Sequence, residues 1–184
     1  AAIQESKLLY LTGYLLLGDP MKSRMMEAIA IAKEAGVPIA LDVADPFAVD
    51  RNKNQFLKMI EQDVDLVFAN HAEIGILFDS TNVEVCSDEL MKIVNRAGIK
   101  LGKKGSLVLE NGTKKTLPPR PISAMDSTGA GDMYAAGFLT ALSHGFVSSR
   151  AGEIGGFLAE EIIQQSGAQF ELKKMQELKS ELIK

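Results

Sequence analysis

The chain runs to 184 residues, 46% of them hydrophobic and 24% charged, enough apolar material for the core of one ordinary domain and too much for a disordered tail. With 20 basic against 24 acidic side chains the formal net charge is −4, and composition shows no basic face of the kind that holds a nucleic-acid backbone. One cysteine, Cys86, excludes an intramolecular disulfide framework and any multi-cysteine zinc site, and it fits a reducing cytoplasm. No apolar run approaches the roughly 20 residues that cross a bilayer. The longest, Leu8 to Leu17, is broken by Thr12 and Gly13 and lacks a basic leader or an Ala-x-Ala cleavage site, so a soluble cytoplasmic protein without a signal peptide is expected.

In chain order, Leu8 to Leu17 is short and apolar and ends at Gly18-Asp19-Pro20, which predicts a buried strand and its exit loop. Pro20 then opens a helix from Met21 to Ala35, with Met25, Ile29, Ala32 and Ala35 at three- and four-residue steps and Gly36 and Pro38 as stop signals. Val37 to Leu41 reads as the next buried strand, Asp50 to Gln62 as a helix with Phe56, Leu57 and Ile60 inside, and Val64 to Ala69 as a third strand. His71 to Phe78 reads as helical, as does Asp88 to Ala97 with Leu90, Ile93 and Val94 inside. Ser106 to Glu110 and Thr113 to Leu117 flank Asn111-Gly112, a strong hairpin signal. Pro118 to Met125 is an extended connector, followed by helices at Asp132 to Ser143, Ser149 to Gln165 and Leu172 to Ile183, separated by Gly145 and Gly167.

Strands alternating with helices imply an α/β fold with a mostly parallel sheet flanked by helices, because parallel strands need crossover connections. Ligands in such sheets sit beyond the carboxyl ends of the strands, so the loops after Leu41, Ala69 and Leu101 and the one before Asp132 are where chemistry is expected. There is no internal repeat, low-complexity tract or linker, and residues 1–184 read as one domain or one large part of one.

The most informative stretch runs from Asp126 to Gly137 and is dominated by small residues. Gly129, Ala130 and Gly131 let a backbone approach a ligand closely at the start of a helix, where unpaired N–H groups carry partial positive charge. Asp132 lies in the first turn, where a carboxylate is electrostatically favoured and can serve as a base. Donors for a moving phosphoryl group beside a base for the attacking hydroxyl are the parts phosphoryl transfer requires. The same residues also suit a plain helix start, with Ser127 and Thr128 capping and Asp132 complementing the dipole. No Walker A loop occurs as a rival phosphate binder.

Asp126 to Gly137, continued by Phe138-Leu139, resembles the second signature of the PfkB, or ribokinase-like, family of sugar and nucleoside kinases. Two further features stand in the same order upstream: Asn70-His71-Ala72-Glu73 is similar to the family's Asn-x-x-Glu, and Gly102-Lys103-Lys104-Gly105 to its Gly-x-x-Gly nucleotide loop. The resemblance covers essentially all 184 residues, and Asp45-Pro46-Phe47 with Val64 to Asn70 tilts it towards an adenosine-kinase-like branch.

The resemblance implies a ribokinase-like fold, ATP and magnesium, and a small-molecule sugar or nucleoside as acceptor. It assigns the catalytic base to Asp132 and the anion hole to the N–H groups of Gly129, Ala130 and Gly131. Asn70 and Glu73 match positions that organise magnesium and the ATP phosphates, while a helix N-cap with Glu73 as capping-box partner accounts for the same pair. Gly102 and Gly105 match the loop near the nucleotide, or form an ordinary turn into the Ser106 strand. Asp126 and Thr128 match positions that hold a monovalent cation, K+, in some members. In Gly155-Gly156-Phe157-Leu158-Ala159, Gly156 stands where many relatives carry an Asn that frames the nucleotide.

Other conspicuous residues suit bland readings: His71 and His144 as surface or helix-end residues, Cys86 as a small buried side chain, and Met21, Met25 and Met26 as core and surface of one helix. Lys103, Lys104, Lys114 and Lys115 read as a solvated basic edge around the hairpin. The family's N-terminal Gly-Gly signature and small β lid have no counterpart before Ala1-Ala2-Ile3, so the expectation is the nucleotide-binding C-terminal part of a kinase domain. An open sheet edge would then favour a homo-oligomer. The competing expectation is a nucleotide-binding or structural remnant without catalysis. A dinucleotide-binding Rossmann domain lacks its Gly-x-Gly-x-x-Gly.

Overall fold

Apolar runs bounded by turn residues form the strands, and amphipathic stretches between them form the helices. The computed structural model describes residues 2–182, so Ala1 and the expected helix end at Ile183 lie outside the described residues. The strands are β1 (Leu9–Thr12), β2 (Ile39–Asp42), β3 (Leu66–Asn70), β4 (Arg96–Lys100), β5 (Ser106–Glu110) and β6 (Thr113–Leu117). The helices are α1 (Met21–Glu34), α2 (Pro46–Asp63), α3 (His71–Leu77), α4 (Val83–Ile93), α5 (Ala130–Ser143), α6 (Ser148–Ile162) and α7 (Leu172–Leu182). The strands follow one another in the hydrogen-bonded order β1-β2-β3-β4-β5-β6. β1 to β4 are parallel, with Leu11 opposite Leu41, Leu41 opposite Val67, and Val67 opposite Ala97. This is the expected α/β class.

The chain divides into two compact units, Ala1–Leu101 with Leu109–Lys114, and Gly102–Val108 with Lys115–Lys184. In the first, Leu41, Val67, Phe68 and Ile99 are fully buried, as strands covered on both faces require, and Phe56, Ile60, Ile74 and Leu90 pack from the helices. In the second, Ile162, Phe170 and Leu178 form a cluster joined by Phe157 and Leu158. There α5 and α6 meet backbone to backbone: a Cβ on Gly155 would lie 2.5 Å from the carbonyl oxygen of Tyr134, and one on Gly137 2.9 Å from the α-carbon of Gly155. Among the described residues no helix is long and apolar enough to cross a membrane.

Several boundaries differ from the sequence expectation. The Leu8 to Leu17 run is strand only to Thr12; from Gly13, set against the Val43 carbonyl and the Phe56 ring, it turns into a 3-10 helix ending at Leu17. α2 begins at Pro46 rather than Asp50, because Asp45 Oδ1 accepts from the N–H groups of Phe47 (2.8 Å) and Ala48 (3.3 Å) and Pro46 is preset for a first helical position. It is kinked at Asn52 (φ −125°, ψ 21°), whose side chain donates to the Ala48 carbonyl, so the apolar spacing restarts there. α4 starts under an Asn82 cap and stops at Ile93, and the expected helical residues to Ala97 give way to β4, where parallel pairing with β3 overrides amphipathic spacing. The hairpin strands and the connector fall where expected, with Asn111 and Gly112 at positive φ.

Candidate functional site

In the first unit, β2, β3 and β4 end side by side on charged or polar residues: Asp42, Asn70 and Lys100. Asn70 Oδ1 accepts from the N–H groups of Ala72 (2.8 Å) and Glu73 (3.0 Å), and Glu73 Oε2 accepts from the Asn70 N–H at 2.6 Å, closing a capping box. Glu73 Oε1 accepts from Asn70 Nδ2, also at 2.6 Å. The two residues singled out by spacing are thus joined through every polar side-chain atom. Glu73 is only 1% exposed. Burial pushes its carboxyl up, opposed by the Asn70 N–H and by the charge of Lys100, while Asp42 and Asp45 push in the same sense as burial.

Asp42 and Lys100 were not legible as site residues from sequence. Asp42 is buried, its Oδ1 accepts from the Ala44 N–H at 3.0 Å, and Lys100 Nζ lies 3.0 Å from Oδ2 and 3.3 Å from Oδ1. The signal available was positional: each is the charged residue on which a buried apolar strand ends.

In the second unit, Gly129 is the N-cap of α5 in the left-handed conformation (φ 79°), and no side chain caps that end. A Cβ there would also lie 2.7 Å from the Cβ of Ala168, so only glycine suits both the turn and the packing. Ala130, Gly131 and Asp132 are the first residues of the helix, where N–H groups have no intrahelical acceptor; the Ala130 N–H donates back to the Ser127 carbonyl at 3.3 Å, and Asp132 is exposed. The helix begins two residues before the expected Asp132, which puts Asp132 in its first turn. Ser127 and Thr128 do not cap with their side chains. Instead Asp126 Oδ1 accepts from Thr128 N (2.9 Å) and Oγ1 (2.7 Å), and Oδ2 from the Gly167 N–H (3.1 Å). The Thr128 hydroxyl, then the Thr128 and Gly167 amides, hold the Asp126 carboxyl below the usual carboxylate range.

Gly102 and Gly105 lie in a 3-10 turn closed by the Gly105 N–H donating to the Gly102 carbonyl at 3.0 Å, both at positive φ. Gly156 lies on α6 with nothing within 4 Å of where a Cβ would point. Tyr134, beneath the start of α5, has its phenol pushed up to about 12 by burial, against a hydrogen bond with Ser106, so it is no proton carrier at neutral pH. His71 and His144 are exposed and Cys86 is buried, as expected. Lys114 and Lys115 are engaged rather than merely solvated, Lys114 with Glu84 and Asp88 (each 2.8 Å) and Lys115 with Glu153 (3.1 Å). Among the described residues no three His, Cys, Asp or Glu side chains converge to hold a metal ion. Oxygen donors at Asn70, Glu73 and Asp42 nonetheless suit a hard divalent cation that takes one or two protein carboxylates and completes its shell with phosphate and water.

Comparison with known proteins gives a consistent picture. The pfkB family of carbohydrate kinases matches across residues 1–175. Adenosine kinase of Schizosaccharomyces pombe is 29% identical over 191 residues, spanning 95% of this chain and 55% of its own length. The crystal structure of adenosine kinase from Sinorhizobium meliloti superposes with a TM-score of 0.92 at 28% identity, over 98% of this chain and 56% of that one. A fructokinase from Vibrio cholerae, in a fructose, ADP and calcium ion bound form, shares the fold at a TM-score of 0.80 and 21% identity, over 88% of this chain and 56% of that one. The chain spans about half the length of the curated relatives it matches.

Proposed function

The chain belongs to the pfkB family of carbohydrate kinases, and from that premise we propose that it is the nucleotide-binding C-terminal portion of an ATP-dependent kinase that phosphorylates a hydroxymethyl group of a sugar or nucleoside. The observation that carries this reading is the start of α5: a glycine N-cap, no capping side chain, and an exposed carboxylate in the first turn. Asp132 takes the proton of the acceptor hydroxyl as its oxygen attacks the γ-phosphorus and the bond to the bridging oxygen of ADP breaks. The N–H groups of Gly129, Ala130 and Gly131 face the negative charge that the transferred phosphoryl group spreads over its oxygens. Asn70 and Glu73, with Asp42 beside them, would hold magnesium. When bound, magnesium neutralises the donor phosphates. Gly102, Gly105 and Gly156 leave room for the nucleotide, and Asp126 and Thr128 fix the turn near which a K+ ion would sit.

The names of the relatives, adenosine kinase and sugar kinase, support both a nucleoside and a sugar as acceptor. We place the protein in the reducing cytoplasm, consistent with its single, buried Cys86, and assign it to a homo-oligomer. Titration calorimetry with Mg·ATP, then assays of phosphate transfer to adenosine, ribose and fructose, test the reading. Transfer that falls by about a hundredfold or more in Asp132→Asn with ATP affinity retained is expected. An unchanged rate in that variant would remove Asp132 as the base. ATP binding without transfer by the 184-residue chain would favour the reading of a nucleotide-binding protein without catalysis.

A further inference from the structure

The mechanism above gives no task to Lys100, yet its position is specific. It ends β4 in register with Asn70 at the end of β3, and its ammonium reaches across to the carboxylate that ends β2, at 3.0 and 3.3 Å from the two oxygens of Asp42. Asp42 is 3% exposed and Glu73 1%, so two carboxylates are withdrawn from water at the same end of the sheet, with Asp45 nearby adding a third negative charge. The Lys100 side chain keeps 18% of its surface open, which leaves its flexible stem a route out. Buried carboxylates require a compensating cation, and when one is removed without replacement the site is strongly destabilised.

We propose that Lys100 is a built-in counter-ion, a positioning residue whose ammonium holds Asp42 and the Glu73 neighbourhood in order in the cation-free protein and competes with a divalent cation for the same carboxylates. This rests on the reading that Asn70 and Glu73 organise magnesium, and adds to it a cation exchange: the ammonium withdraws as the metal arrives, so the site is never left with uncompensated charge. The ion pair also sets metal affinity. A protein that keeps its own cation over Asp42 binds free metal weakly, and takes up the metal–nucleotide complex, whose phosphates supply further ligands, in preference to the bare ion.

The test uses the whole 184-residue chain, without nucleotide, and Mn2+ followed by electron paramagnetic resonance. Lys100→Met is expected to bind Mn2+ roughly tenfold more tightly than the wild type, the scale set by removing one neighbouring unit charge, while Lys100→Arg stays close to wild type. Equal affinity in Lys100→Met and wild type overturns the counter-ion role. If Glu73→Gln still weakens binding in that case, the magnesium assignment stands without it. No Mn2+ uptake by either chain overturns both.

Should Lys100→Met fail to fold, the wild type answers alone. The Lys100 side-chain resonance, assigned by its loss in Lys100→Arg, is expected to move on titration with Mg2+. A resonance that stays fixed while Mg2+ saturates the protein overturns the exchange.

Discussion

The carboxylate of Asp126 accepts the amide N–H of Gly167 at 3.1 Å, tying the turn that precedes α5 to the loop that follows α6. Its other oxygen holds Thr128 through both amide and hydroxyl. One side chain thus anchors the approach to the start of α5 from two directions.

Because those bonds keep the Asp126 carboxyl below its ordinary value, the folded state binds this proton less readily than the unfolded chain. Its stabilising contribution is complete above the unfolded carboxylate range, about pH 4, and is lost as pH falls through the lower folded value. Asp126→Asn is therefore expected to lower the melting temperature at pH 7 and to flatten its decline below about pH 4. A variant melting curve parallel to wild type across that range would remove the anchoring role.

Gly129→Ala forces a Cβ into the left-handed region and onto Ala168. We expect a loss of about 1–3 kcal/mol in denaturant unfolding and weaker ATP binding by calorimetry. Gly156→Ala, which meets nothing within 4 Å, is the control for the unfolding measurement alone and should change stability by about 0.5 kcal/mol or less.

Glu73 closes the capping box of α3, so an isosteric substitution and a truncation there should separate. Glu73→Gln keeps one acceptor, for the Asn70 N–H that closes the box, and gives up the one that faces Asn70 Nδ2. Glu73→Ala leaves a buried donor unpaired and is expected to lose about 1–3 kcal/mol in urea unfolding. Equal stability of the two variants would show that the box contributes nothing.

Arg120 lies 4.1 Å above the Phe157 ring and bonds Glu160 at 2.6 Å and Glu161 at 2.9 Å, pinning the connector to α6. Arg120→Ala is expected to lose about 1 kcal/mol at low salt and less at high salt, since these groups are partly exposed. Unfolding at two ionic strengths checks this.

Much of the fold was readable from residues alone, and so was the start of α5 on which the proposed site rests. Asn111-Gly112 dictates its hairpin locally, and the small-residue run at Gly129 to Gly131 with Asp132 marks the start of α5 in sequence order. What escaped was non-local. β4 was hidden because Arg96 to Lys100 shows no clean alternation and takes its strand identity from pairing with β3. Asp42 and Lys100, 58 residues apart, acquire meaning only when parallel strands bring their ends together. The α2 start was missed for a local reason, the Asp45 cap and Pro46, read instead as part of a family resemblance.

The contact of α5 with α6 through Gly137 and Gly155 bears on how such a chain drifts through evolution. Every amino acid is larger than glycine, so each replacement at position 155 adds atoms where the Tyr134 carbonyl oxygen already stands 2.5 Å from the first of them. No sequence of single tolerated steps leads away from that residue unless the helices part first. Since α5 carries the proposed anion-binding terminus, parting them would move it. Gly137 and Gly155 are thereby among the positions least free to change.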